Sequence, residues 1–162
     1  MTTTERDDLL RAEARSHAIA NILASAANLV NDGWARDVDA RNQRNRACNP
    51  GCPDVIAWAA QGALRHATER WRWDRTTRKL EDGDSGPLDL HAPELSVREA
   101  MEAFAAEIGR AGRTDPEDTI REWNRTEPGK MTVVHAFCTA RDHYRERTAR
   151  IREQRLGGRP RP

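Results

Sequence analysis

The segment from Glu5 to Val30 carries apolar side chains at helical spacing, and this pattern constrains the fold more strongly than any other feature. The apolar residues recur every three or four positions, so on an α-helix they line one face. Thr4 is a suitable N-cap, and the acidic residues after it suit a first helical turn. The pattern predicts a long helix that packs against a core and ends at Gly33 in a left-handed conformation. Its apolar face consists of Ile19, Ile22, Leu23, Ala26, Leu29 and Val30.

A second helix is predicted to begin at Pro53 and Asp54 and to run to about Trp71. Proline suits the first helical position, and the helix dipole favours an acidic residue beside it. Trp58 and Gly62 fall on one face of this helix, together with several alanines. A glycine inside a helix costs about 1 kcal/mol relative to alanine. We therefore expect Gly62 to let another backbone or a ligand approach closely.

Three further helices are predicted in the second half of the chain. Ser96 and Glu99 have the spacing of a capping box, which marks the start of a helix. A short helix that begins after Thr114 carries Trp123, and the last helix begins near Met131. Together with the first two, the sequence therefore predicts four to five helices in all.

Two segments lack helical periodicity. Residues 34–53 are polar and predict a long loop, or a loop with one short strand. Residues 76–91 contain a turn cluster and fit either a small hairpin or a plain surface loop. The predicted fold class is therefore all-α, a single compact domain of four to five helices with one or two long loops. We expect the domain to cover residues 1–155 around the first two helices, and residues 156–162 to form a flexible C-terminal tail.

Charge and hydropathy exclude several function classes. The chain has 27 basic and 26 acidic residues, a formal net charge of +1, so overall charge favours neither nucleic acid nor an anionic membrane as a partner. Residues 141–162 hold eight arginines against three acidic residues, but at spacings typical of a solvated helix face. No apolar run approaches membrane-spanning length, and the first residues lack the pattern of a signal peptide. We expect a cytoplasmic protein.

The cysteines predict reduced thiols and no metal. There are three of them, and only Cys48 and Cys52 are close in sequence, unlike the even-numbered framework of a secreted disulfide-rich domain. With His66 or His91 this pair would supply only part of a zinc site, because structural zinc needs four ligands. We predict neither a metal nor a cofactor.

The least ordinary residues form short motifs. They are Gly33-Trp34, Ala35-Arg36-Asp37, Trp58 followed by Gly62-Ala63-Leu64 and Ala67, and Trp123-Asn124. In this combination, over roughly residues 19–140, the chain resembles a family of small actinobacterial and phage-associated domains of unknown function. Members of that family tend to carry Cys on both sides of the central Trp, where this chain has Ala57 and Ala59, and Asp after Trp-Asn, where it has Arg125. The resemblance implies a helical fold and no particular activity.

The same motifs define the candidate site. If the loop after Gly33 folds back over Gly62, its aromatic and polar side chains would wall a pocket, and ligand sites favour apolar concavities with few convergent polar groups. The candidate ligand-binding residues are Trp34, Arg36, Trp58, Trp123 and Asn124.

Two classes of function fit this site. We predict a small soluble protein whose Trp-lined pocket binds a small molecule, or which acts as an accessory protein. The alternative is a small cofactor-independent enzyme, for example of specialised metabolism, in which Asp37 and His66 form the catalytic acid–base pair. Nucleic-acid binding is disfavoured, a membrane partner is not expected, and a homo-oligomer is compatible with the sequence.

Overall fold

Helix α1 spans Thr3–Asp32 and buries the apolar face that the sequence predicts. The computed structural model describes residues 2–81, 94–109, 115–126 and 129–157, with side chains for all of these except 77–81. Five residues of the predicted face are buried, and Leu29 packs against the core in a half-buried position. Thr2 caps the helix instead of Thr4: its hydroxyl accepts from the N–H of Glu5 at 3.2 Å, and its own N–H donates to the Glu5 carboxylate at 2.7 Å.

Three short strands follow α1 and form one antiparallel sheet in the order β2-β1-β3. Strand β1 is Ala40–Asn42, β2 is Ala47–Cys48 and β3 is Val55–Trp58. Asn45, with a φ of 56°, occupies the left-handed region in the turn between β1 and β2, which asparagine tolerates better than most residues. The segment 34–53, predicted as a long loop with at most one strand, therefore holds two strands and pairs with a third.

Trp58 lies in strand β3 and not in a helix, which corrects the predicted helix start at Pro53. The segment begins with β-branched Val and Ile, residues that suit a strand. The N–H of Trp58 donates to the carbonyl of Gly33 at 2.9 Å, and the N–H of Ala35 donates to the carbonyl of Trp58 at 3.0 Å. These bonds hold β3 against the end of α1. The spacing of apolar residues within one segment does not predict such pairing with a distant segment.

Two glycines permit close backbone packing around this sheet. Gly33 has an extended φ of −164°, so the predicted left-handed helix end is wrong. It must be glycine for another reason, because a β-carbon there would overlap the carbonyl oxygen of Ile56. A β-carbon at Gly62 would overlap the carbonyl oxygen of Asp39 in the same way. The prediction that Gly62 allows close approach is confirmed, and what approaches is backbone.

The other four helices of the described residues are α2 (Ala60–Glu81), α3 (Val97–Glu107), α4 (Pro116–Thr126) and α5 (Lys130–Arg155). The predicted capping box at the start of α3 is present.

Helix α2 continues well past its predicted end at Trp71. Residues 76–81 are therefore helical, which excludes the first strand of the hairpin considered for 76–91. Residues 82–93, including the second strand of that hairpin and His91, lie outside the described residues. Of the predicted flexible tail, Leu156 and Gly157 form a turn after α5, and residues 158–162 also lie outside the description.

The core lies where the five helices of the described residues meet, and α2 contributes Leu64 and three alanines to it. Phe104 of α3 stacks on Phe137 of α5 with ring centroids 4.1 Å apart, and the ring of Trp123 contacts Phe104 edge-on at 5.6 Å. Within the described part of the chain, the most extensive interface between elements joins α1 and α5. The expectation that the first and second helices form the central pair is therefore wrong. Many small residues line the buried face of α1, and they let the long α5 pack closely along it.

A buried ion triad joins α1 to the C-terminal end of α5. The carboxylate of Glu13 is fully buried and accepts from Nε of Arg152 at 2.7 Å and from Nε of Arg155 at 2.9 Å. Burial alone would raise the pKa of Glu13, but the hydrogen bonds and charges of the two guanidinium groups outweigh burial and lower it. Two of the arginines expected on a solvated face thus bind a buried carboxylate.

The described residues form a mostly helical single domain of five helices with one small three-stranded sheet, which confirms the predicted helical class. None of the helices in the described ranges combines the length and apolar character needed to cross a membrane.

Candidate functional site

The side chain of Asn124 joins three separate parts of the chain and is fully buried. Its Oδ1 accepts from the indole N–H of Trp34 at 3.1 Å and from the backbone N–H of Ala60 at 3.2 Å. Its Nδ2 donates to the carbonyl of Ala35 at 3.0 Å and to that of Arg36 at 2.9 Å. We call these five residues the Asn124 junction.

The side-chain carboxamide of Asn124 is a structural connection with no free hydrogen-bonding capacity. A carboxamide has two donors and two acceptor sites, and all four are used here. Ala60 is the first residue of α2, and its N–H has no partner within the helix. Asn124 therefore caps α2 from a different helix and fixes the chain that follows α1. The sequence predicts that the loop after Gly33 and Asn124 belong to one site. It gives Asn124 a ligand-binding role, whereas in the structure Asn124 holds parts of the chain together.

Trp34 and Arg36 form the exposed side of the junction. The indole of Trp34 is half-buried, and the exposed guanidinium of Arg36 lies 5.1 Å from its ring centroid, in position for a cation–π contact. This contact covers one face of the Trp34 ring. Both side chains are thus engaged within the protein itself.

The other two predicted tryptophans have different environments. Trp123 is only 8% exposed and belongs to the core, so it offers little surface to a ligand. Trp58 is half-buried, and its ring lies 6.1 Å from that of His66 at a tilt of 40°. The indole N–H of Trp58 is buried and has no hydrogen-bond partner among the described residues.

Asp37 and His66, the predicted acid–base pair, make no hydrogen bond or ion pair with each other. Asp37 is exposed in the loop before β1, whereas His66 is half-buried on α2 against Trp58. A general base must lie within hydrogen-bonding reach of the proton that it takes, directly or through one water. Nothing in the described part of the chain couples the two groups.

A polar network that the sequence analysis missed lies beside the junction. Gln61, only 2% exposed, donates from Nε2 to Oδ1 of Asp39 at 3.0 Å. The same carboxylate oxygen lies 3.8 Å from Nε of Arg121. Arg121 and Arg65 in turn both bind Glu117, at 3.0 Å and 2.7 Å. The only sequence signal for this network is the helical spacing of Glu117 and Arg121.

A cleft of about 270 Å³ opens between α1, α3 and α5, on residues to which the sequence analysis assigned no site. Opposite charges and one aromatic ring line it. We call it the α1–α3–α5 cleft, and its lining residues are Ala12, Arg15, Ser16, Ile19, Glu99, Glu102, Ala103, Tyr144 and Arg147.

The charged groups of the α1–α3–α5 cleft are unequally paired. Arg15 forms an ion pair with Glu99, and the exposed Glu102 accepts from Nε of Arg98 at 3.0 Å. The guanidinium of Arg147 lies 5.9 Å from the ring centroid of Tyr144 and forms no ion pair with any described residue. The cleft therefore presents one guanidinium group, on Arg147, that has no ion-pair partner among the described residues and lies near the Tyr144 ring.

The described residues contain no group of three or more His, Cys, Asp or Glu side chains that could hold a metal ion. Cys48 and Cys52 are both free and half-buried. His91, which was considered as their partner, lies outside the described ranges.

The fold and these sites define a mostly helical domain with a small sheet and a polar cleft. No protein-family model matches the chain, and the searches of curated proteins and of solved structures also gave no match. The resemblance to a family of domains of unknown function therefore stays a prediction.

Proposed function

We propose that this protein binds a small zwitterionic molecule in the α1–α3–α5 cleft. The observation that carries the proposal is the unpaired guanidinium of Arg147 in the same cleft as the carboxylates of Glu99 and Glu102. An arginine fork binds a carboxylate or phosphate with two parallel hydrogen bonds. The Tyr144 hydroxyl can donate to the same anionic group.

The other wall of the cleft, which carries Glu99 and Glu102, indicates that the ligand also has a positively charged group. Among the described residues, Glu102 on α3 is bound only by the exposed Arg98, and an exposed ion pair contributes about 0–1 kcal/mol. A ligand ammonium group can therefore compete for this carboxylate at little cost. A molecule with an anionic and a cationic end, such as an amino acid, satisfies both walls.

The size of the cleft limits the ligand. Pockets for drug-sized molecules measure about 300–1,000 Å³, and this cleft, at about 270 Å³, lies just below that range. The expected ligand is thus smaller than a typical drug molecule. We prefer this cleft to the predicted Trp-lined pocket as the ligand site, because Trp34 and Asn124 are hydrogen-bonded to each other and Trp123 belongs to the core.

The test is a thermal-shift and calorimetry screen with amino acids, short dipeptides, and matched amines and carboxylates that lack one charge. We expect saturable binding of some zwitterions and much weaker binding of the singly charged analogues. Arg147→Ala should reduce the affinity about tenfold or more, since a hydrogen bond to a charged group contributes about 1.5–3 kcal/mol. Arg150→Ala, an exposed arginine on the same helix outside the cleft, is the matched control. Equal loss of affinity in both variants, or no binding by any zwitterion, would refute the proposal.

A further inference from the structure

The turn that joins β1 to β2 lies on the surface and carries arginine and amide side chains. Its four residues, Gln43, Arg44, Asn45 and Arg46, are all exposed, and we call them the basic turn. Residues 40–53 contain three arginines and neither an acidic nor an aromatic residue. Charges farther apart than about 8–10 Å are largely screened at physiological salt. The positive charge of this segment therefore acts locally, although the net charge of the whole chain is only +1.

Hydrogen bonds fix the backbone of the basic turn. Oδ1 of Asn42 accepts from the N–H of Arg44 at 3.1 Å and from the N–H of Arg46 at 3.0 Å. The N–H of Asn42 donates to the carbonyl of Arg46 at 3.0 Å, and the N–H of Asn45 donates to the carbonyl of Asn42 at 2.8 Å. Arg41 donates from Nη1 to the carbonyl of Asn45 at 2.9 Å. The turn is thus ordered in the free protein, which lowers the entropy cost of binding a partner.

The other two arginines of this segment are available to a partner. The side chains of Arg44 and Arg46 form no ion pair or hydrogen bond with any described residue. Asp54 lies beside the turn, since its carbonyl accepts from the N–H of Gln43 at 3.1 Å, but its carboxylate forms no ion pair with a described arginine. A guanidinium group binds phosphate with two parallel hydrogen bonds. The turn therefore presents two such groups to an anionic partner.

We propose that the basic turn binds B-form duplex DNA by entering the major groove. That groove is wide enough to admit a two-stranded β-ribbon such as the one formed by β1 and β2. Arginine binds the guanine edge there, and asparagine and glutamine bind the adenine edge. All four residues of the basic turn are of these types. The inference is independent of the α1–α3–α5 cleft, because none of the residues that line the cleft lies in the sheet.

Other anionic partners fit the basic turn less well. Single strands are held by bases that stack on aromatic side chains, and residues 40–53 contain none. The major groove of A-form RNA is too deep and narrow for side chains to read. Peripheral binding to a lipid surface uses apolar side chains that enter the bilayer, whereas the basic turn is entirely polar.

Fluorescence anisotropy with a labelled random-sequence duplex of about 20 base pairs, between about 50 and 200 mM salt, tests the proposal. Each phosphate contact contributes about 0.9 to the slope of log K against log salt concentration. The double variant Arg44→Ala/Arg46→Ala should therefore lower this slope by about 2 and reduce the affinity at low salt about tenfold or more. Its melting temperature should stay unchanged, because neither side chain has a partner within the described structure.

Two further variants separate binding by the basic turn from a general effect of charge. Arg6→Ala/Arg150→Ala removes the same charge from exposed positions on α1 and α5, and it should leave binding nearly unchanged. Arg44→Lys/Arg46→Lys keeps both charges, so it should keep the salt slope while losing the two-bond geometry.

The groove is tested with the unmodified protein. Methylating guanine N7, which lies in the major groove, should weaken binding. Equal weakening in the two double alanine variants would overturn the proposal, as would equal binding of the methylated duplex. Tighter binding of the matching single strand or RNA duplex, or no binding of the DNA duplex at low salt, would also overturn it.

Discussion

The indole N–H of Trp34 donates to Oδ1 of Asn124, 90 positions later in the chain, at 3.1 Å. The same oxygen caps the first residue of α2, and the amide nitrogen of Asn124 binds the two carbonyls that follow Trp34. One buried side chain thus joins the end of α1, the start of α2 and helix α4. Because each of these contacts is made inside the protein, the side chain of Asn124 stabilises the fold and has no donor or acceptor left for a ligand.

Replacing Asn124 with alanine should therefore destabilise the fold strongly. The change leaves the indole N–H of Trp34, the N–H of Ala60 and two carbonyls without partners, and each buried unsatisfied group costs about 1–3 kcal/mol. We expect urea denaturation to show a loss of about 3 kcal/mol or more in the free energy of unfolding. Asn21→Ala is the control, because Asn21 is exposed and its one side-chain bond within the described residues is to His17, and it should change stability by about 0.5 kcal/mol or less. Equal stability of the two variants would contradict the role of the junction.

Gly62 provides a second stability test, because a β-carbon at this position would overlap the carbonyl oxygen of Asp39. Alanine normally stabilises a helix interior by about 1 kcal/mol relative to glycine. At Gly62 the overlap should reverse that sign, and we expect Gly62→Ala to lower the free energy of unfolding by about 2 kcal/mol or more. Gly51→Ala, where the nearest atom would lie at an ordinary 3.6 Å, is the matched control. A more stable Gly62→Ala variant in thermal unfolding would show that Asp39 can move away.

The helical part of this fold can be predicted from the sequence because it depends on local signals. The apolar face of α1 and the capping box of α3 follow from residue spacing alone, and both are present. Strand β3 could not be predicted in the same way. Pro53 and Asp54, just before it, suit the start of a helix, and the segment becomes a strand because it pairs with β1 and with the backbone at Gly33.

The candidate site shows a similar limit. Unusual residues such as Trp34 and Asn124 correctly indicate where distant parts of the chain meet. Residue type alone cannot distinguish a hydrogen bond to a ligand from one to the backbone, and here the backbone and Trp34 use all the donors and acceptors of Asn124. The cleft was missed because Arg15, Glu102 and Arg147 look like ordinary solvated residues until three helices place them around one space.

Two tryptophans allow the indole hydrogen bond to be measured separately from packing. Trp34 and Trp58 are both half-buried, but only the indole N–H of Trp34 has a partner within the described structure. Replacement with phenylalanine removes similar volume at each position and removes a hydrogen bond only at Trp34. Trp34→Phe should therefore cost about 1–2 kcal/mol more than Trp58→Phe in denaturant unfolding. A larger loss at Trp58 would indicate that its N–H is also paired.

The Glu13 triad predicts a specific pH dependence of stability. Burial raises the pKa of Glu13, but the bonds and charges of Arg152 and Arg155 lower it to a net value below the ordinary 4.5. A lowered folded-state pKa contributes stability that is present above the unfolded-state pKa and is lost as the pH falls through the folded-state pKa.

Glu13→Gln removes this ionisation while keeping a side chain of similar shape. Above about pH 5 the variant should be less stable by about 2 kcal/mol, below the cost of breaking a fully buried pair because Arg152 is 50% exposed. As the pH falls below 4.5 the difference should shrink, and the two proteins should converge only below the lowered folded-state pKa, where Glu13 of the unmodified protein becomes protonated and loses its charge. Urea unfolding between pH 3 and 7 measures the difference, with Glu146→Gln, exposed on α5, as the control for general acid effects. A difference that stays constant across this range would mean that Glu13 does not titrate within it, and that the triad contributes through packing and not through charge.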